Sequence, residues 1–96
     1  MKELSGFQRD LLYIILDSDK PSGQDVRRRI EDYYDRNINH GRLYPNLDAL
    51  VEEGFVEKGS KDQRTNYYEI TTEGVEKIES RQEWEDKVFD GLELAV

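Results

Sequence analysis

The chain has 96 residues, 35% of them hydrophobic and 10% aromatic, with a net charge of -8 and a pI of about 4.6. That length supports one domain with one modest core, and the absence of cysteine excludes disulfides, thiolate metal sites and cysteine nucleophiles. The longest apolar run, Leu11 to Leu16, falls far short of a membrane span, and Met1-Lys2-Glu3-Leu4 lacks a signal-peptide pattern, so a cytoplasmic protein with no membrane partner is expected.

Ser5 can cap a first helix whose apolar positions Phe7, Leu11, Ile14 and Ile15 share one face, ending near Asp17 because Pro21 follows. Ser22 is a second cap, with Asp25 three residues on as a capping-box partner. The helix it opens turns Val26, Ile30 and Tyr33 or Tyr34 inward and ends near Arg36-Asn37. Asn39 can cap a third helix, with Leu43, Leu47, Leu50 and Val51 on one face and Gly54 as its stop. Pro45 is awkward there, because its ring removes one backbone hydrogen bond and presses on the carbonyl of Gly41.

After Gly54 the period changes. Phe55-Val56-Glu57-Lys58 and Asn66-Tyr67-Tyr68-Glu69-Ile70-Thr71 read as strands flanking the polar segment from Gly59 to Thr65, which makes a β-hairpin with a charged tip. Thr72 then caps a long last helix with a discontinuous apolar stripe at Val75, Ile78, Trp84, Val88 and Leu92. The expected fold class is α+β, mainly α. Three helices and a two-stranded wing make a winged helix-turn-helix over residues 1–71, and a C-terminal dimerisation helix covers 72–96.

The acidic balance opposes a polyanionic partner, because phosphate contacts supply most non-specific affinity for DNA. Its distribution weakens the objection. Lys20 to Asn66 holds nine basic and nine acidic residues, whereas Thr72 to Val96 holds three basic and eight acidic. The acid excess lies outside the segment that would meet DNA, and such an acidic coat resembles the surfaces of proteins from salt-loving archaea.

The run Gly41-Arg42-Leu43-Tyr44-Pro45-Asn46-Leu47-Asp48-Ala49-Leu50-Val51-Glu52-Glu53-Gly54-Phe55-Val56 closely resembles the core motif of PadR-type transcription regulators. Arg64-Thr65-Asn66-Tyr67-Tyr68-Glu69-Ile70-Thr71-Thr72-Glu73-Gly74 resembles their wing strand and its exit into the last helix. With Phe7-Gln8-Arg9-Asp10-Leu11-Leu12-Tyr13 and the short C-terminus, the chain is similar to small haloarchaeal members. The resemblance implies a DNA-binding regulator that dimerises through its terminal helices.

Arg42 and Asn46 lie one turn apart on the third helix, away from its leucine stripe, where arginine suits guanine and asparagine suits adenine. Solvated helix surface is the alternative for both. His40 and Tyr44 are further candidates that could equally serve capping or packing. On the second helix Arg27 or Arg28 could touch phosphate, unless Glu31, Asp32 or Asp25 pairs with them. At the hairpin tip Lys61, Gln63 and Arg64 have no local apolar role and suit phosphate or minor-groove contact.

The dimer surface is expected to comprise Phe7, Leu11, Ile78, Trp84, Val88 and Leu92. Double-stranded DNA and a second copy are the expected partners, with no cofactor, no metal and no enzymatic activity. The lone histidine has no identifiable acid or nucleophile partner, and Asp17-Ser18-Asp19 begins like a calcium loop but places Pro21, Ser22 and Arg28 where that loop needs other groups. A winged helix used only for protein contacts in a transcription complex is the competing reading. Arg42, Asn46 and the tip from Lys61 to Arg64 are the features it would not require.

Overall fold

The computed structural model describes residues 3–94. Helix α1 (Gly6–Leu16) opens on a reciprocal capping box: the Ser5 hydroxyl accepts the Gln8 backbone N–H at 3.1 Å, and the Gln8 side chain accepts the Ser5 N–H at 3.1 Å. Helix α2 (Gly23–Tyr34) repeats the device with Ser22 and Asp25. In helix α3 (His40–Glu52) the Asn39 side chain accepts the Arg42 N–H at 2.8 Å, and the helix continues through Pro45. These polar side chains satisfy amide groups that a helix start otherwise leaves unpaired.

Gly54 ends α3 with a left-handed φ of 81°. Its N–H donates to the Val51 carbonyl and that of Phe55 to the Leu50 carbonyl, the double closure of a Schellman turn. Helix α2 closes in the same way, but the left-handed residue is Asp35, with φ 54°. The helix therefore stops at Tyr34, two to three residues earlier than its composition suggests.

Strands β1 (Val56–Ser60) and β2 (Asn66–Ile70) pair antiparallel, in register from Val56 opposite Ile70 to Ser60 opposite Asn66. The loop before α2 joins the hairpin as a short third rung, with Ser22 bridging Tyr67 and the Tyr68 N–H donating to the Pro21 carbonyl at 2.9 Å. Helix α4 (Thr72–Leu94) follows at once. The hydroxyl that accepts from its first turn belongs to Thr71, which takes the Gly74 N–H at 3.1 Å, so the cap lies one residue before Thr72.

Helix α1 is the hub, touching α2, α3, α4 and β2. Leu11, Leu12, Val26, Ile30, Leu43, Leu47 and Leu50 are fully buried, joined by Ile38, Phe55, Val56, Tyr68 and Ile78. Of the two neighbouring tyrosines, Tyr34 packs against this core and Tyr33 is exposed. Among the described residues no helix is long and apolar enough to cross a membrane.

Candidate nucleic-acid interface

Helix α3 presents its leucines to the core and leaves His40, Pro45, Asp48 and Glu52 in solvent, with Arg42, Tyr44 and Asn46 half-buried at the edges. The Arg42 guanidinium carbon stands 4.0 Å from the centre of the Phe7 ring and 5.9 Å from that of Tyr34. These are contacts with aromatic faces. No hydrogen bond or ion pair engages the Arg42 guanidinium among the described residues, so its N–H donors stay available.

Asn46 is placed differently. Its Oδ1 accepts from the Gln8 Nε2 at 3.0 Å, and its Nδ2 donates to the Arg42 carbonyl at 2.7 Å. Both ends of the amide are therefore engaged inside the chain. Tyr44 stacks on His40 with ring centres 4.3 Å apart, and its phenol lies so close to Gly23 that a Cβ there would overlap it. Tyr44 thus wedges α3 against the start of α2, while His40 is exposed.

The wing tip is built around Asp62. Its Oδ1 accepts the N–H groups of Arg64 and Thr65 at 2.8 and 2.9 Å, its carbonyl accepts from the Ser60 hydroxyl, and the Lys61 N–H closes on the Thr65 carbonyl. Those donors, the Arg64 amide above all, hold the Asp62 carboxyl below its usual range. Lys61, Gln63 and Arg64 are exposed on this turn.

At the wing's base Lys58 pairs with Asp48 of α3 at 3.8 Å, and at its tip the charge of Lys61 reaches Asp25 at the start of α2. The base of the hairpin therefore lies against the second half of α3, and its tip stands near the start of α2. Asp25 is held below the usual carboxylate range first by the Ser22 N–H and hydroxyl. On α2, Arg27 pairs with Glu31 at 3.5 Å, Arg28 with Asp25 at 3.0 Å, and Arg29 with Asp17 at 2.9 Å. These surface pairs are weak enough for phosphate to displace.

Residues 11–80 match the model of the transcriptional regulator PadR-like family. The chain belongs to the PadR-like family of transcriptional regulators. Among solved structures, RosR of H. salinarum is 41% identical to this PadR-like chain, with a TM-score of 0.87 over 92% of it and 79% of RosR. A transcriptional regulator from Clostridium thermocellum is 25% identical, with a TM-score of 0.68 over 88% of this chain and 89% of that one. F93 from STIV, at 19% identity and a TM-score of 0.74 over 91% of this chain and 95% of that one, shares the winged-helix fold. No functionally curated protein sequence matches the chain.

The expected dimer surface divides in two. Trp84, Val88 and Leu92 of this PadR-like chain are exposed on the second half of α4, joined by Phe89, which the reading of the stripe missed. Phe7, Leu11 and Ile78 instead belong to the chain's own core, with Leu11 fully covered, so the structure corrects their assignment. Apolar spacing on a helix reports a face that must be covered, without saying by which chain.

A second apolar edge lies in the open groove between α1, α2 and α4, where Leu16 and Tyr33 are exposed beside Arg9, Tyr13 and Arg81. The Tyr13 Oη is buried there with no hydrogen-bond partner among the described residues.

Proposed function

We propose that the chain is a sequence-specific, double-stranded-DNA-binding regulator that acts as a cytoplasmic homodimer and has no catalytic role. One observation carries the reading. A wing tip bearing Lys61, Gln63 and Arg64, all in solvent, stands near the start of α2, and on α3 the Arg42 guanidinium lies on an aromatic face with its N–H donors uncommitted. Arg64 and Lys61 then meet phosphate or the minor groove, and Arg42 meets a base edge in the major groove. F93 from STIV, of the same fold, is a winged-helix DNA-binding protein.

Two copies place two recognition helices and two wings on adjacent half-sites. The exposed stripe of Trp84, Val88, Phe89 and Leu92 supports α4 as the dimer surface. His40 and the displaceable pairs of Arg27 and Arg28 supply secondary contacts to the backbone.

Binding of the chain to its own upstream region and to random duplex, measured in concentrated potassium chloride, tests the proposal. Arg64→Ala weakens binding to every sequence. Arg42→Ala relaxes preference at one base pair, where a good bidentate contact is worth about 1–3 kcal/mol of discrimination. Equal loss on specific and random DNA for Arg42→Ala would remove its base-reading role, and failure of the wild type to bind any duplex would favour a protein-contact module.

A further inference from the structure

Gln8 lies outside α3 and the wing, yet its one side chain joins two elements. Its Oε1 accepts the Ser5 N–H at 3.1 Å, completing the cap of α1, and its Nε2 donates to Asn46 Oδ1 at 3.0 Å, across 38 positions of sequence. Asn46 passes the restraint on by donating to the Arg42 carbonyl at 2.7 Å. Phe7, the neighbour of Gln8 in the same turn, supplies the ring 4.0 Å from the Arg42 guanidinium. The first turn of α1 thus holds Arg42 at both ends, the backbone through two amides and the head group through an aromatic face.

An arginine reads guanine by two parallel hydrogen bonds, and that geometry tolerates little displacement. Its long side chain otherwise samples many rotamers, and freezing them opposes binding. A preset backbone and head group reduce that cost.

We propose that Gln8 is a specificity-determining positioning residue, which through the Gln8–Asn46 amide pair holds Arg42 in the pose that reads one base pair. The proposal rests on the reading of Arg42 as a base contact. It gives Asn46 the role of relay, since one lone pair of its Oδ1 is taken by Gln8 and one hydrogen of its Nδ2 by the Arg42 carbonyl.

Gln8→Glu isolates the amide pair. A glutamate keeps the acceptor that caps Ser5 but has no N–H to donate, so the helix start survives while Asn46 loses its donor. The experiment selects a preferred duplex for the wild type from a random pool. Anisotropy titrations at fixed potassium chloride then compare wild type, Arg42→Ala, Gln8→Glu and the double variant on that duplex and on every single base-pair substitution of it.

Gln8→Glu is expected to lower discrimination on the order of tenfold at the same base pair that Arg42→Ala affects, to change other positions little, and to add nothing in the Arg42→Ala background. Thermal melting of Gln8→Glu stays near wild type. Should that variant melt early, Gln8→Met, of similar length with no amide, serves in its place with the same expectation.

Equal weakening on all duplexes, or wild-type discrimination in both Gln8 variants while Arg42→Ala loses it, overturns the positioning role and leaves Arg42 as the reader. Wild-type discrimination in Arg42→Ala overturns the base contact and this inference together.

Discussion

Tyr34 shows how one side chain is placed by both burial and a specific partner. Its Oη donates to Asp10 Oδ2 at 2.6 Å, and burial, reinforced by that carboxylate, pushes its pKa up to about 12. Burial does the same to Tyr68, also up to about 12. Below the unfolded phenol's pKa of 10.0 both tyrosines are neutral in either state, so their contribution is complete. As pH rises above that value the unfolded chain ionises first, and stability falls until the folded phenols titrate. Denaturant melts through that alkaline window should show stability declining, with a shallower decline in Tyr34→Phe and a loss of about 1 kcal/mol at neutral pH from the missing hydrogen bond. An unchanged alkaline slope in Tyr34→Phe would assign the effect elsewhere. At this scale the sequence exposes charge and hides connection. Lys61, Gln63 and Arg64 were legible because nothing nearby explains them, whereas the links of Gln8 to Asn46 and of Asp10 to Tyr34 span 38 and 24 positions and leave no local pattern.

Elements were legible where their ends are written in short-range chemistry. Ser5, Ser22, Asn39 and Gly54 each announce a helix boundary, and each boundary lies there. The end of α2 was misplaced because its left-handed residue is Asp35, which lacks glycine's signal, and the α4 cap fell on Thr71 because two adjacent threonines are equivalent on paper. Gly74 is the least replaceable joint between elements. A Cβ there would strike the Phe55 carbonyl and come within 2.6 Å of the Ile70 side chain. The carbonyl is also fixed by accepting the Thr71 N–H at 3.0 Å. Alanine gains about 1 kcal/mol over glycine in a helix interior, but forced overpacking costs about 1–3 kcal/mol, and fixed backbone cannot yield as a side chain does. Gly74→Ala should therefore lower the melting temperature. Gly91→Ala, in the same helix with nothing within 4 Å, should not. Similar melting of the two variants would mean that the turn between β2 and α4 can relax.

At the scale of the whole molecule, the helix and its core do not match in length. Helix α4 runs for 23 residues, about 34 Å at 1.5 Å per residue, and the molecule measures 55 × 29 × 23 Å. Ile78 in its first half reaches the core, whereas Trp84, Val88, Phe89 and Leu92 are exposed among the described residues. Trp84, Val88 and Leu92, at i, i+4 and i+8, share one helix face, an exposed apolar stripe of the kind that marks a docking surface. Full burial is worth about 1.5–3 kcal/mol for each, and a two-fold axis covers both copies with one self-complementary contact. Leu16 and Tyr33, exposed in the groove of α1 and α2, would add apolar area to the proposed dimer contact. A glutamate in the stripe would have to be desolvated against the second copy, beside side chains that are already mostly acidic. Trp84→Glu and Val88→Glu should therefore yield monomers in light scattering at high salt, folded or not, that bind duplex DNA poorly because a single wing and recognition helix engage only one half-site. A monomeric wild type, or a Trp84→Glu protein that remains dimeric and binds DNA fully, would place the interface elsewhere.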